Sequence, residues 1–88
     1  MTSSANKLAI QSFFVTLWPL QERAKAFVPE DFASLCADVG AMLADLRQVC
    51  ENDSEVLSSL AIAQILLSMG HPELALVKIR AILILRGA

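Results

Sequence analysis

Between residues 30 and 50 the apolar side chains return every three or four positions: Phe32, Leu35, Cys36, Val39, Met42, Leu43, Leu46, Val49 and Cys50. That spacing lays them along one stripe of a helix and leaves Ser34, Asp38, Asp45 and Gln48 off it. No segment alternates with period two, and no Asn-Gly or Asp-Gly pair offers a hairpin turn. The pattern therefore predicts an all-α chain, a short antiparallel array of four or five helices with tight connections.

Local signals divide the array. Pro29 suits a first helical position, and Glu30 and Asp31 favour the positive end of the helix that follows. "ENDSE" at 51–55 breaks that helix, with Asp53 or Ser54 able to cap the next. This next helix is expected from about Ser54 to Met69, where Gly70 stops it, and Pro72 and Glu73 start a last one reaching about Arg86. Upstream, Ala5 to Leu17 is helical by pattern, and Pro19 either kinks that helix or opens a short second one. The 88 residues make one domain, with N-terminal helices over 5–50 and a helical hairpin over 54–86.

A domain this small has little interior, yet 56% of its residues are hydrophobic and its mean hydropathy is +0.57. Soluble domains hold roughly 45–50%. The longest apolar stretch, residues 56–69, contains Ser58, Ser59, Gln64 and Ser68 and falls short of the roughly 20 residues that span a bilayer. Lys7, the apolar run after it and "AKA" at 24–26 have the outline of a secretion signal. Gln11 interrupts the run, however, and Glu22, Arg23 and Lys25 crowd the cleavage region, so a cytoplasmic protein is expected. The surplus apolar surface is then expected to be shared with a protein partner.

Other chemistry has little footing. Cys36 and Cys50 lie on one expected helix about 21 Å apart, beyond disulfide reach, and are expected as buried thiols. A single histidine and no CxxC motif make no metal site. His71, in a Gly-His-Pro turn, has no nucleophile or paired carboxylate beside it and reads as a solvent-facing turn residue. No catalytic constellation, phosphate loop or cofactor motif is present, and an enzyme is not expected. Seven acids and one base fill residues 30–55, while 74–88 holds Lys78, Arg80 and Arg86 and no acid. Three bases on a chain of net charge −2 are no nucleic-acid patch. Trp18 is expected in the core.

The most specific stretch is "LAIAQILLSMGHPELALVKI", residues 60–79. Ala63, Leu66, Gly70, Ala75 and Ile79 stand at the small–large–Gly–Ala–large spacing of the tetratricopeptide repeat, a helix–turn–helix unit. Ala63 and Ala75 would let two helices approach, and Gly70 would turn the chain. Ala75, Leu76, Ile79, Ile82 and Leu83 are expected to face the hairpin and the preceding helix, leaving Val77, Ile84 and Leu85 over.

A short all-helical chain with this stretch resembles the TPR-like co-chaperones of bacterial type III secretion needle subunits. The resemblance implies a bacterial cytoplasmic heterodimer with a second small helical chaperone, together holding the needle subunit against premature polymerisation. It implies a groove that takes the needle subunit's amphipathic helix, which by repeat position would be lined by Leu57, Leu60, Gln64 and Leu67; read from the residues alone, the same face serves equally as core against the 30–50 helix. With Val77, Ile84 and Leu85 these are the candidate partner-binding residues. The alternative is a homo-oligomeric structural protein that buries the same surface against itself.

Overall fold

In a computed structural model the backbone is described for residues 3–87 and the side chains from Lys7 onward. Four α-helices follow in order: α1 (Ser3–Ala26), α2 (Phe32–Val49), α3 (Ser54–Ser68) and α4 (Pro72–Gly87). A single 3₁₀ turn, Pro29–Asp31, leads into α2. Among the described residues there is no strand, so the fold is all-α.

The ends form where side-chain chemistry dictates. Asp53 accepts a hydrogen bond from the Val56 N–H at 3.2 Å and caps α3. At the other end of α3, Gly70 has φ 86°. Its N–H donates to the Leu67 carbonyl and the His71 N–H to the Leu66 carbonyl, both at 3.0 Å. This pair of bonds is the Schellman motif, which uses carbonyls the helix itself leaves open. Pro72 then opens α4, where a missing N–H does no harm. α1 ends on the same principle with a less suitable residue. Phe27 sits at φ 46° with its N–H on the Arg23 carbonyl at 3.2 Å, in the left-handed position that glycine normally fills. Pro19 does not divide α1, which continues through it to Ala26, so no separate second helix forms.

The helices pack in a ring, α1 on α2, α2 on α3, α3 on α4 and α4 back on α1, with α2 and α4 also touching across the middle. The α3–α4 hairpin closes on Ala63 and Ala75, both with no exposed surface, and on Ile79, equally buried. Leu76, Ile82 and Leu83 join them in the core, as the spacing predicts. The α1–α4 contact is the one the sequence pattern does not announce. It runs antiparallel: Gln11 Nε2 donates to the Gly87 carbonyl at 2.6 Å, while Trp18 lies beside Val77 and Arg80. A Cβ on Gly87 would stand 3.1 Å from Ile10 Cγ2, tighter than ordinary contact, so glycine suits this close approach of α1.

Two arginines hold the corners. Arg23 of α1 reaches Asp31 at 2.8 Å and Asp38 of α2 at 2.6 Å. Arg86 of α4 reaches Glu55 of α3 at 2.6 Å, and its Nε lies 2.9 Å from Asp53 Oδ2. Cys36 is half-buried and Cys50 buried; both are free thiols, and burial, more than the nearby Asp53 charge, pushes the Cys50 thiol up.

The two left-handed residues give opposite expectations. Gly70→Val meets no neighbour within 4 Å of the new Cβ, so its cost is backbone strain alone, about 1 kcal/mol or more of lost stability. Phe27→Gly relieves the same strain at an exposed site and is expected to raise stability by up to about 1 kcal/mol. Urea unfolding followed by circular dichroism measures both; equal signs for the two variants would contradict this account of the turns.

Candidate functional site

The Cα envelope measures 44 × 22 × 16 Å, a bundle two helices thick. Such a section cannot enclose all the apolar side chains this sequence carries. Thirteen large hydrophobic residues among those described are exposed, and their distribution is one-sided. α1 shows Leu8, Val15 and Trp18; α3 shows Ile62 and Ile65, with Met69 just past its end; α4 shows Leu74, Val77, Ile84 and Leu85. Past its first residue, Phe32, α2 shows none. Its solvent side is small or charged instead: Ala37, Ala41, Ala44, Asp38, Asp45 and Arg47.

Helical periodicity explains how the ten residues come together. On α4 the buried row Ala75, Ile79, Ile82 and Leu83 points into the bundle, so Val77, Ala81 and Ile84 form a ridge on the opposite side. α1 and α3 flank α4, and their own outward residues extend that ridge sideways. Between α1 and α4 runs a groove of about 610 Å³ lined by Trp18, Glu22, Lys25, Leu76, Val77 and Arg80. The apolar face is therefore the side made by α1, α4 and α3, with α2 behind it. The ten side chains together expose on the order of 1,000 Å², compared with roughly 800 Å² that one partner contributes to a standard interface.

The residues expected to bind a partner separate into two groups. Val77, Ile84 and Leu85 are exposed by 60%, 46% and 68% and belong to the apolar face. Leu57, Leu60, Gln64 and Leu67 do not line an open groove. They face α2: Leu60 retains 1% exposure in the core, Leu57 and Leu67 pack half-buried against that core, and Gln64 is exposed beside Leu43 and Arg47. The chain's own α2 occupies the surface that repeat position suggested for a partner helix. Trp18 is also displaced from expectation. Leu17 and Leu20 take the inward positions of α1, and Trp18, about 100° round from Leu17, is 66% exposed beside α4.

Leu8, Val15, Ile62, Ile65, Met69 and Leu74 escaped sequence reasoning, although one signal marks those of the last two helices. α3 and α4 have apolar residues all round, and a helix with no polar face is one that is covered on every side. His71 is exposed in its turn, with Nδ1 3.6 Å from Glu73 Oε2. Among the described residues no cluster of His, Cys, Asp and Glu has the arrangement of a metal site, and no helix is long and apolar enough to cross a membrane. No family model, curated protein or solved structure matches the chain.

The acidic residues gather on the other side, where Asp31 illustrates their role. Its hydrogen bond from Arg23 holds the carboxyl below its ordinary value of 3.8. A depressed carboxyl contributes stability that is present above the unfolded value and lost as pH falls through the folded one. Wild-type protein is therefore expected to lose stability on acidification below about pH 3.8 more steeply than Asp31→Asn. Thermal melts between pH 5 and about 2 test this; parallel curves for the two proteins would show that the pair contributes nothing.

Proposed function

We propose that this chain is a small chaperone or adaptor that covers an apolar amphipathic helix of another protein. The observation that carries the reading is the face made by α1, α4 and α3, which gathers ten exposed large hydrophobics on one side of the bundle. Exposed apolar surface beyond a few hundred Å² marks an interaction site. The ridge of Val77, Ala81 and Ile84, at i, i+4 and i+7 on α4, suits packing against another helix. Within this reading, the hairpin at 54–86 favours the resemblance to TPR-like co-chaperones of type III secretion needle subunits. Its partners are then a needle subunit and a second small helical chaperone in a bacterial cytoplasm. The docking surface differs from the one the repeat positions imply: it is the outer side of α4 rather than the α2-facing side of α3.

Isolated protein is expected to bind a hydrophobic dye and to self-associate in size-exclusion chromatography. Val77→Asp and Leu85→Asp, both at exposed positions, keep their helix content and lose most of the dye signal. Burying a leucine contributes roughly 1.5–3 kcal/mol, so each variant is expected to weaken capture of the needle subunit from its own host at least tenfold. A monodisperse, dye-negative monomer would overturn the proposal of a shared surface. Undiminished partner binding by both folded variants would place the contact elsewhere.

A further inference from the structure

Two cations of α4 stand at the borders of the apolar face, Arg80 in a groove it shares with Glu22, Lys25 and Glu73. On α4, Arg80 and Lys78 stand about 160° apart around the outer side of the axis, with the ridge of Val77, Ala81 and Ile84 between them. Arg80 lies toward α1, in the groove with Trp18, and Lys78 lies toward α3. Arg23 and Arg86 each engage two carboxylates, whereas neither Lys78 nor Arg80 has one within ion-pair distance among the described residues. The other charged groups on this side are Glu22, engaged with Lys25 of α1 at 3.6 Å, and Glu73, beside His71. α3 adds Glu55, two turns before Ile62 on its outward side, where it is engaged with Arg86 at 2.6 Å.

We infer that the occupant of this face is an amphipathic helix of a partner protein carrying carboxylates along both flanks of its apolar stripe. The inference rests on the helix-binding reading and specifies the partner's chemistry. A helix laid on the Val77–Ala81–Ile84 ridge has a cation beside each flank, and α4, at 16 residues, offers a track about 24 Å long. Opposite charges at the rim steer and align such a helix, while like charges reject it. A second copy of this chain fits poorly. Packing α4 on α4 across a two-fold axis brings Lys78 and Arg80 of both copies together, and the acidic α2 side has no apolar ridge to offer in their place. An anionic membrane fits poorly as well, since recognition there takes clusters of about 4–8 basic residues without intervening acids.

Trp18, the only tryptophan in the chain and itself on this face, reports occupancy through its emission. Two tryptophan-free peptides of about 18 residues, sharing one leucine stripe and matched in helix content, carry glutamates or lysines on their flanks. Titrated into the full chain at low salt, the glutamate peptide is expected to bind at least tenfold more tightly. The gap should close at about 1 M salt, where the screening length falls to about 3 Å. Lys78→Glu/Arg80→Glu, both exposed substitutions checked by circular dichroism, should reverse the preference. Equal affinity for the two peptides would overturn the charge inference and leave helix binding standing. Binding of neither peptide would overturn both. A Trp18 response to phosphatidylserine vesicles exceeding that to the glutamate peptide, or a stable homodimer that excludes both peptides, would assign the face to a different occupant.

Discussion

Close approach of α4 to its neighbours is the condition on which the rest of the bundle depends. Ala63 and Ala75 remove side-chain bulk between α3 and α4, and Gly87 removes it between α1 and α4. With those contacts made, Leu76, Ile79, Ile82 and Leu83 fill the shared interior, and the core closes around them. The same approach fixes what stays outside. Once α4 commits its buried row to the interior between α1, α2 and α3, the residues on its far side have no further helix among those described to meet. Their exposure follows from the packing that stabilises everything else, since a bundle two helices thick has only one interior.

Charge follows the same division. Carboxylates concentrate around α2 and the start of α3, where Arg23 and Arg86 tie them to α1 and α4. The apolar side keeps Lys78 and Arg80 at its edges. Surface ion pairs contribute little to stability individually, so the corner arginines matter more for fixing helix order than for holding the bundle together. The outcome is a molecule with one side of small and acidic residues and one apolar side whose edges carry Lys78 and Arg80, the latter beside Glu22 and Glu73. That asymmetry carries the functional reading.

Much of the fold was legible because it is set by neighbours along the chain. Asp53 caps α3 through a backbone N–H three residues away, and Gly70 turns the chain through bonds to Leu66 and Leu67. The stripe on α2 is likewise a matter of spacing, and Leu35, Val39, Met42, Leu43 and Leu46 are buried as it requires. Candidate site residues were legible in part. Val77, Ile84 and Leu85 stood out because the hairpin pattern had no use for them. Leu60 fitted both a partner groove and core against α2, and Trp18 read as core, since a leucine in an all-apolar helix and a tryptophan in a periodic one do not say which neighbour they face.

By itself the sequence determined that the chain is helical, where three of its helices begin and end, and that it carries more apolar surface than so small a domain can enclose. These follow from local hydrogen bonding, residue conformational preference and the ratio of surface to volume. Only the tertiary structure decided which surface remained open. It placed α2 over the inward side of α3, brought α1 against α4, and so turned Leu60 into core and Trp18 into surface. The reason is physical: an apolar all-round helix can be packed from any side, and periodicity contains no information about which side is chosen. Contacts between helices far apart in sequence, such as Gln11 with Gly87, make that choice.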